Sequence, residues 1–359
     1  EPKAEPAKID PKDIKVTIAT WSGAYGEAQQ RALIEPFTKK TGYDVKTVIY
    51  DGAYDRLEKQ AGDAKWSVVD LNGADMIKAC NNGLLERLDD KFLESGPNGN
   101  PASDDFLPGA IHECGIGSMA WSAVLVTDQR LEHKPASLKD FFDIGNFPGK
   151  RILPKQPRYS LELALMADGV APDKVYDVLK TPQGQDRAFA KLSSIKDDIT
   201  WWEDPADVLG RIVNKEAIMG VAFNGRAFMS IVASEQPLEI VWDHQIYTYD
   251  YWSIPRGAEF QDAAREFIGY ATSPKSLAAQ AGWLPYGPSR RSAAALVGNH
   301  PELGIDMKPF LPTHTDHFAN ALAMNDAFWA QNELVLNERF SEWVQGRQLP
   351  PQKNALRLQ

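Results

Sequence analysis

Two α/β lobes with a crevice between them is the fold class that this sequence predicts. Strand–turn–helix units alternate along the first part of the chain, a second set begins after about residue 126, and 359 residues exceed one ordinary domain. Such units predict parallel strands with helices on both faces, and a ligand crevice beyond the strands' carboxyl ends.

The β-branched alternation over 15–19 predicts the first strand, and 21–26 reads as the turn after it. Helical spacing through Ala28, Leu33, Ile34 and Phe37 predicts a helix over 27–41, stopped at Gly42. A strand over 45–50, a short helix over 55–64 and a strand over 68–71 follow. Residues 72–75 read as a turn, and 76–82 as a helix ending at Gly83. The apolar run 118–127 predicts a buried strand, 137–142 a short helix capped by Ser137, and 147–151 a turn. Helices are expected over 160–167, 173–179, 185–194 and 262–271, and strands over 217–223, 238–241 and 249–254. Long helical spacing runs from 316 to 345, and no internal repeat occurs.

Hydrophobic residues make up 43% of the chain, enough for real cores, yet no stretch approaches the roughly 20 apolar residues that cross a bilayer. The net charge of -10, from 49 acidic and 39 basic residues, lacks the basic surface of a nucleic-acid binder. It fits plain solubility and is congenial to cationic ligands. Residues 1–12 are polar and rich in Pro and Ala, and read as a flexible arm. That start fits a mature chain whose export signal is gone, and equally a cytosolic protein. Cys80 and Cys114 have neither CxxC nor metal-ligand spacing. They read as one disulfide from an oxidising compartment or as two buried thiols.

The chain has no GxSxG elbow, no HExxH and no GxxxxGK[ST]. The run Gly115-Ile116-Gly117-Ser118-Met119-Ala120 echoes a dinucleotide loop but precedes a strand instead of following one. His314 and His317 lack a convincing third metal ligand, and Asp316 between them reads better as a helix cap. No cofactor or metal is expected. Ten tryptophans stand out, several in turns. Trp21 and Tyr25 follow the first strand, Trp202 lies in a polar segment, Trp252 sits beside Asp250, and Tyr286 follows Pro285. Aromatic faces attract ammonium groups by about 0.5–2 kcal/mol, and Asp75, Glu203 and Asp250 could neutralise one. Each ring taken singly also has an ordinary core role. Arg226, after the strand over 217–223, either faces a ligand carboxylate or turns to solvent or a protein carboxylate.

The pieces Thr20-Trp21-Ser22, Val68-Val69-Asp70, Gly83-Leu84-Leu85, Trp121-Ser122 and Phe147-Pro148-Gly149-Lys150-Arg151 resemble the bacterial spermidine/putrescine-binding proteins of ABC importers. So do Ala222-Phe223-Asn224-Gly225-Arg226, Asp250-Tyr251-Trp252-Ser253-Ile254-Pro255 and Tyr286-Gly287-Pro288-Ser289. The likeness runs from about Lys15 to Val344, and the order and spacing of the pieces carry it. It implies an exported, monomeric periplasmic protein of the type II two-lobe fold, with two crossovers, a hinge and an interlobe cleft. It also implies binding without catalysis, and delivery to a membrane ABC permease. Trp21 and an aromatic near Tyr25 would stack on the ligand's methylenes, and Asp250 would hold an amine. The loop at Gly73 and Asp75 and the loop at Tyr286 would line the same cleft, with Ser22, Trp202 and Trp252 also at the ligand.

Two positions depart from the diamine binders. Tyr159 falls where an acid is expected, and Arg226 is foreign to a pure polyamine site. The chain is similar in these respects to a subgroup that includes receptors for γ-aminobutyrate, in which an Arg takes the carboxylate and an Asp the amine. The resemblance also implies a Cys80–Cys114 disulfide tying two loops of the first lobe. The expected division is 13–126 plus 251–297 for lobe 1 and 127–250 plus 298–359 for lobe 2. The expected ligand is a polyamine or an ω-amino acid. The rival readings are a hydrolase using paired carboxylates in the cleft, and a receptor for a metal or inorganic anion.

Overall fold

The computed structural model describes residues 9–347. Within them the chain forms two compact units, one running to Ala120 and resuming over Tyr249–Thr313, the other made of Trp121–Thr248 and the stretch from His314 onward. The arm expected over 1–12 lies outside the described residues as far as residue 8, and so does the expected end of lobe 2 over 348–359. Pro11–Asp13 forms a short turn of 3-10 helix capped by the Asp10 side chain.

In the first unit, Val16, Ile18 and Ala19 of strand Lys15–Thr20 are fully buried. This strand runs parallel to Asp44–Ile49 on one side and to Val68–Asn72 on the other. The expected all-parallel order stops there. Residues 250–253 end a long strand, Leu238–Ser253, that returns antiparallel to Val68–Asn72, with Asn72 opposite Asp250 and Asp70 opposite Trp252. The sheet continues to the first residues of Gly115–Asp128, against which Gly287–Pro288 pairs antiparallel. The two strands expected over 238–241 and 249–254 are thus one, because polar Asp243, His244 and Gln245 hide its middle.

The residues read as a turn over 21–26 are mostly helix. Gly23–Gln29 passes through a π-helical turn, Gln30–Ile34, into Glu35–Thr41, and Gly42 closes it at φ 73°. Residues 72–75 are likewise a helix start: the Asn72 side chain accepts the Asp75 N–H at 2.9 Å and caps Gly73–Asn81. Cys80, near the end of that helix, is joined to Cys114 by a 2.05 Å disulfide.

In the second unit, part of Gly115–Asp128 runs antiparallel to Met219–Phe223, which is parallel to Arg151–Pro154, itself parallel to Ile199–Trp202. Neither of the last two strands is expected from the sequence: the first begins on the last residue of the expected turn over 147–151, the second ends in the polar segment that holds Trp202, and both are too short for a period-2 signal. Helices Ser160–Ala167 and Pro182–Ser193 pack together over a core that takes in Trp329 and Phe340 of the last helix. That helix is Asp326–Val344, capped by Asn325, so the expected start at 316 is ten residues early. His314, not Asp316, caps the 3-10 turn Thr315–His317 before it. Among the described residues no helix is long and apolar enough to cross a membrane.

Candidate functional site

In the first unit, the carboxyl ends of two parallel strands and the facing stretch of the antiparallel one gather most of the expected residues. Trp21 and Ser22 leave strand Lys15–Thr20 directly. The Ser22 N–H donates to the Asp51 carboxylate at 2.8 Å, which fixes the loop. The half-buried Trp21 ring meets Tyr50 edge-on at 6.0 Å and lies across Gly52, where a Cβ would touch it at 3.2 Å. Gly26 is required behind it, because a Cβ there would sit 2.1 Å from the Trp21 carbonyl oxygen.

One turn further on, Tyr25 is buried, and its ring centroid lies 5.2 Å from that of Tyr286 at a tilt of 49°. The Tyr25 hydroxyl is 3.2 Å from the Ser118 hydroxyl, which donates to the main-chain carbonyl of Asp250, also at 3.2 Å. Burial first, and then the neighbouring Asp70 and Asp250, push the Tyr25 phenol far above its ordinary range. Asp250 itself is 5% exposed. Its cross-strand neighbour Asn72 opens the Gly73–Asn81 helix and donates to the Asp75 carboxylate at 2.8 Å. Trp21, Ser22, Tyr25, Gly73, Asp75, Asp250 and Tyr286 therefore all lie at this end of one sheet.

Trp252 does not line this end. It is completely buried two residues deeper in the strand, edge-on to Phe267 at 5.2 Å, and supports the site from beneath as a core ring. Sequence reading missed Ser118, hidden in an apolar run, and Asp70, which lies on the strand under Asn72.

In the second unit, Phe223 gathers three rings: Trp121 at 5.2 Å, Tyr159 at 5.8 Å and Trp202 at 5.9 Å. Trp202 is on a strand, not in a loop, and its indole N–H donates to the Val221 carbonyl at 3.1 Å, so it packs as core. Tyr159 holds φ 70° and ψ -46°, a conformation strained for a bulky residue and characteristic of functional positions. Asn224, directly after Phe223, accepts the Ser122 N–H at 2.9 Å and starts the short helix Asn224–Phe228 that carries Arg226. Arg226 is exposed and has no ion pair among the described residues. Phe223 and Trp121 carried no sequence signal as site residues, since both belong to apolar strands.

The histidines are spent locally. His314 Nδ1 accepts the Asp316 N–H at 3.3 Å, and His317 stacks on Trp242 at 4.1 Å. The three-residue cluster of metal-ligating type found among the described residues is Cys80, Glu113 and Cys114, whose sulfurs are bonded to each other.

A family model for bacterial extracellular solute-binding proteins matches residues 32–309. A gamma-aminobutyric acid-binding protein of Pseudomonas aeruginosa is 34% identical over 335 residues, 92% of this chain and 90% of that protein. The crystal structure of an ABC transporter substrate-binding protein from Bradyrhizobium japonicum is 29% identical with a TM-score of 0.78, covering 92% of this chain and 99% of that one. The structure of a GABA receptor is 30% identical with a TM-score of 0.76, covering 92% and 97%. The chain belongs to the bacterial extracellular solute-binding protein family, the substrate-binding proteins of ABC transporters, whose members bind solutes and do not transform them.

Proposed function

We propose that this protein captures a short ω-amino acid of the γ-aminobutyrate kind and delivers it to a membrane ABC permease. It does so as a monomer in the periplasm. The observation that carries this reading is Asp250, a buried carboxylate next to the Tyr25–Tyr286 ring pair at the end of the first unit's sheet. A buried ammonium needs such a partner, and the rings supply the quadrupole and the apolar face. Trp21 and Tyr25 take the guest's methylenes, each worth about 0.8 kcal/mol on burial. Arg226, an exposed guanidinium without an ion pair among the described residues, is the residue to test for a role at the carboxylate. The relative at 34% identity, named for gamma-aminobutyric acid, supports the choice of an ω-amino acid over a polyamine.

Calorimetry with γ-aminobutyrate, its longer and shorter homologues, putrescine and spermidine tests this. Asp250→Ala weakens every guest at least about tenfold, a loss of about 1.4 kcal/mol. Arg226→Ala weakens γ-aminobutyrate and spares putrescine. Unchanged binding in Asp250→Ala refutes the amine assignment. Unchanged γ-aminobutyrate binding in Arg226→Ala, beside tight putrescine binding, transfers the reading to a polyamine.

A further inference from the structure

We infer that Asp70 is a second, buried carboxylate of the amine site, a positioning residue that acts through Tyr25 and couples capture of a cationic guest to its own ionisation. This rests on the reading of Asp250 as the ammonium partner. Asp70 is fully buried on strand Val68–Asn72, opposite Trp252. Asn72, two residues on, is opposite Asp250. Strand alternation places Asp70 and Asp250 on one face, about 7 Å apart along the strands.

One Asp70 oxygen accepts from the Gln29 amide at 2.5 Å and from the Thr20 hydroxyl at 3.5 Å. The other is buried and has no hydrogen-bond partner among the described residues. The groups around Asp70 and its partner Tyr25 come from every neighbouring element. Thr20 comes from the first strand, Tyr25 and Gln29 from the helix, Ser118 from the strand beyond, and Trp252 and Asp250 from the returning strand. Tyr25 and Asp250 are the titratable ones, and no cation pairs with Asp70 among the described residues. A buried carboxylate without a counter-charge, on the face and just beneath the place where the ammonium of the proposed guest docks, is favoured in its ionised form by that ammonium's charge.

The Tyr25 hydroxyl lies between the two acidic residues: it interacts with Asp70 and is hydrogen-bonded to Ser118, which donates to the main-chain carbonyl of Asp250. Burial pushes Asp70 up to about 7 and keeps the Tyr25 phenol neutral. The sign follows. A docked cation favours ionised Asp70, so affinity is full above neutrality. As pH falls through about 7, the guest must expel a proton or meet a neutral acid, and affinity drops.

The test is calorimetry of the full chain with γ-aminobutyrate and with putrescine from pH 5.5 to 8.5. Both guests keep their charges in this range, with amines near 10 and a carboxyl near 4 as rough values. Expected is binding about threefold to tenfold weaker at the acid end, and proton release near pH 7 read as a buffer-dependent heat. Asp70→Asn flattens the profile and binds at pH 8 about as weakly as the wild type does at pH 5.5. Glu162 and Asp326 of the other unit, raised by burial to about 7 and about 6, remain in that variant, so a slope owed to them persists. Should Asp70→Asn not fold, the wild-type proton count decides without it. Binding without proton release, or an unchanged slope in Asp70→Asn, overturns this inference and leaves the amine reading intact. Failure of every amine to bind overturns both.

Discussion

Tyr25 and Tyr286 hold their rings 5.2 Å apart at 49°, one from the first turn of the helix after the first strand, the other from the loop before Gly287–Pro288. The contact ties two distant stretches of sequence into one wall of the first unit's site. An aromatic pair of this geometry adds about 0.5–1.5 kcal/mol beyond its buried area, and each face can receive an ammonium. Tyr286→Ala is therefore expected to weaken binding of the guest about tenfold while Tyr286→Phe keeps most of it, as read by calorimetry. Equal affinity in Tyr286→Ala removes the ring wall from the site.

Gly26 carries a sharper steric prediction. Its Cβ would stand 2.1 Å from the Trp21 carbonyl oxygen, a backbone atom that cannot swing away as a side chain can. Gly26→Ala should lower stability by about 1–3 kcal/mol and also shift Trp21, so that the melting temperature and the affinity fall together. Gly210, exposed in helix Asp207–Val213 with nothing near its Cβ position, is the control. Gly210→Ala should stabilise by about 0.5–1 kcal/mol with no change in affinity. A Gly26→Ala protein as stable and as avid as the wild type would remove the claim that this approach positions Trp21.

The alternation of strands and helices was legible because buried faces impose a period, and the aromatics after strands were legible because loops rarely spend tryptophan without cause. The structure puts Trp21 and Asp250, both singled out from the sequence, at the same end of one sheet. What stayed hidden has a common physical root. Ser118 and Phe223 sit within apolar runs, and a run buried on both faces gives no sign of which residue reaches a site. Trp202 looked like a loop residue because Ile199–Trp202 is four residues long and sits in a polar stretch. Trp252 was misplaced by depth alone: it shares the face of Asp250 but lies two residues further in, where Phe267 covers it. The strain at Tyr159 is a backbone property that no composition records.

The disulfide links stability to the site. Cys80 lies in the last turn of the helix that begins at Gly73 and carries Asp75, and Cys114 immediately precedes the strand that carries Ser118. Closing a loop of 34 residues' separation contributes about 3–4 kcal/mol in the chain-entropy account. Cys80→Ala with Cys114→Ala, or reduction of the wild type, should lower the melting temperature by several degrees and weaken the guest, because both ends of the bridge belong to elements of the proposed amine site. A reduced protein that melts and binds as before would make the bridge incidental.

Glu162 carries the prediction on pH and stability. It is fully buried in the second unit, where one oxygen accepts from the Trp329 indole at 2.7 Å and from the Tyr176 hydroxyl at 3.1 Å while the other has no partner among the described residues. Burial raises its carboxyl from 4.5 to about 7, against the opposing hydrogen bonds. The folded state thus holds the proton more tightly than the unfolded chain does. Below about 4.5 both states are protonated and nothing is lost. Between there and about 7 the unfolded chain ionises first, and stability falls as pH rises. The total is on the order of 3 kcal/mol. A glutamine keeps the accepting oxygen for Trp329 and Tyr176 and has no proton to lose. Glu162→Gln should therefore gain stability relative to the wild type as pH moves from 5 to 8, measured as the difference in melting temperature at each pH. A difference that stays constant across that range would mean that the Glu162 carboxyl titrates alike in both states.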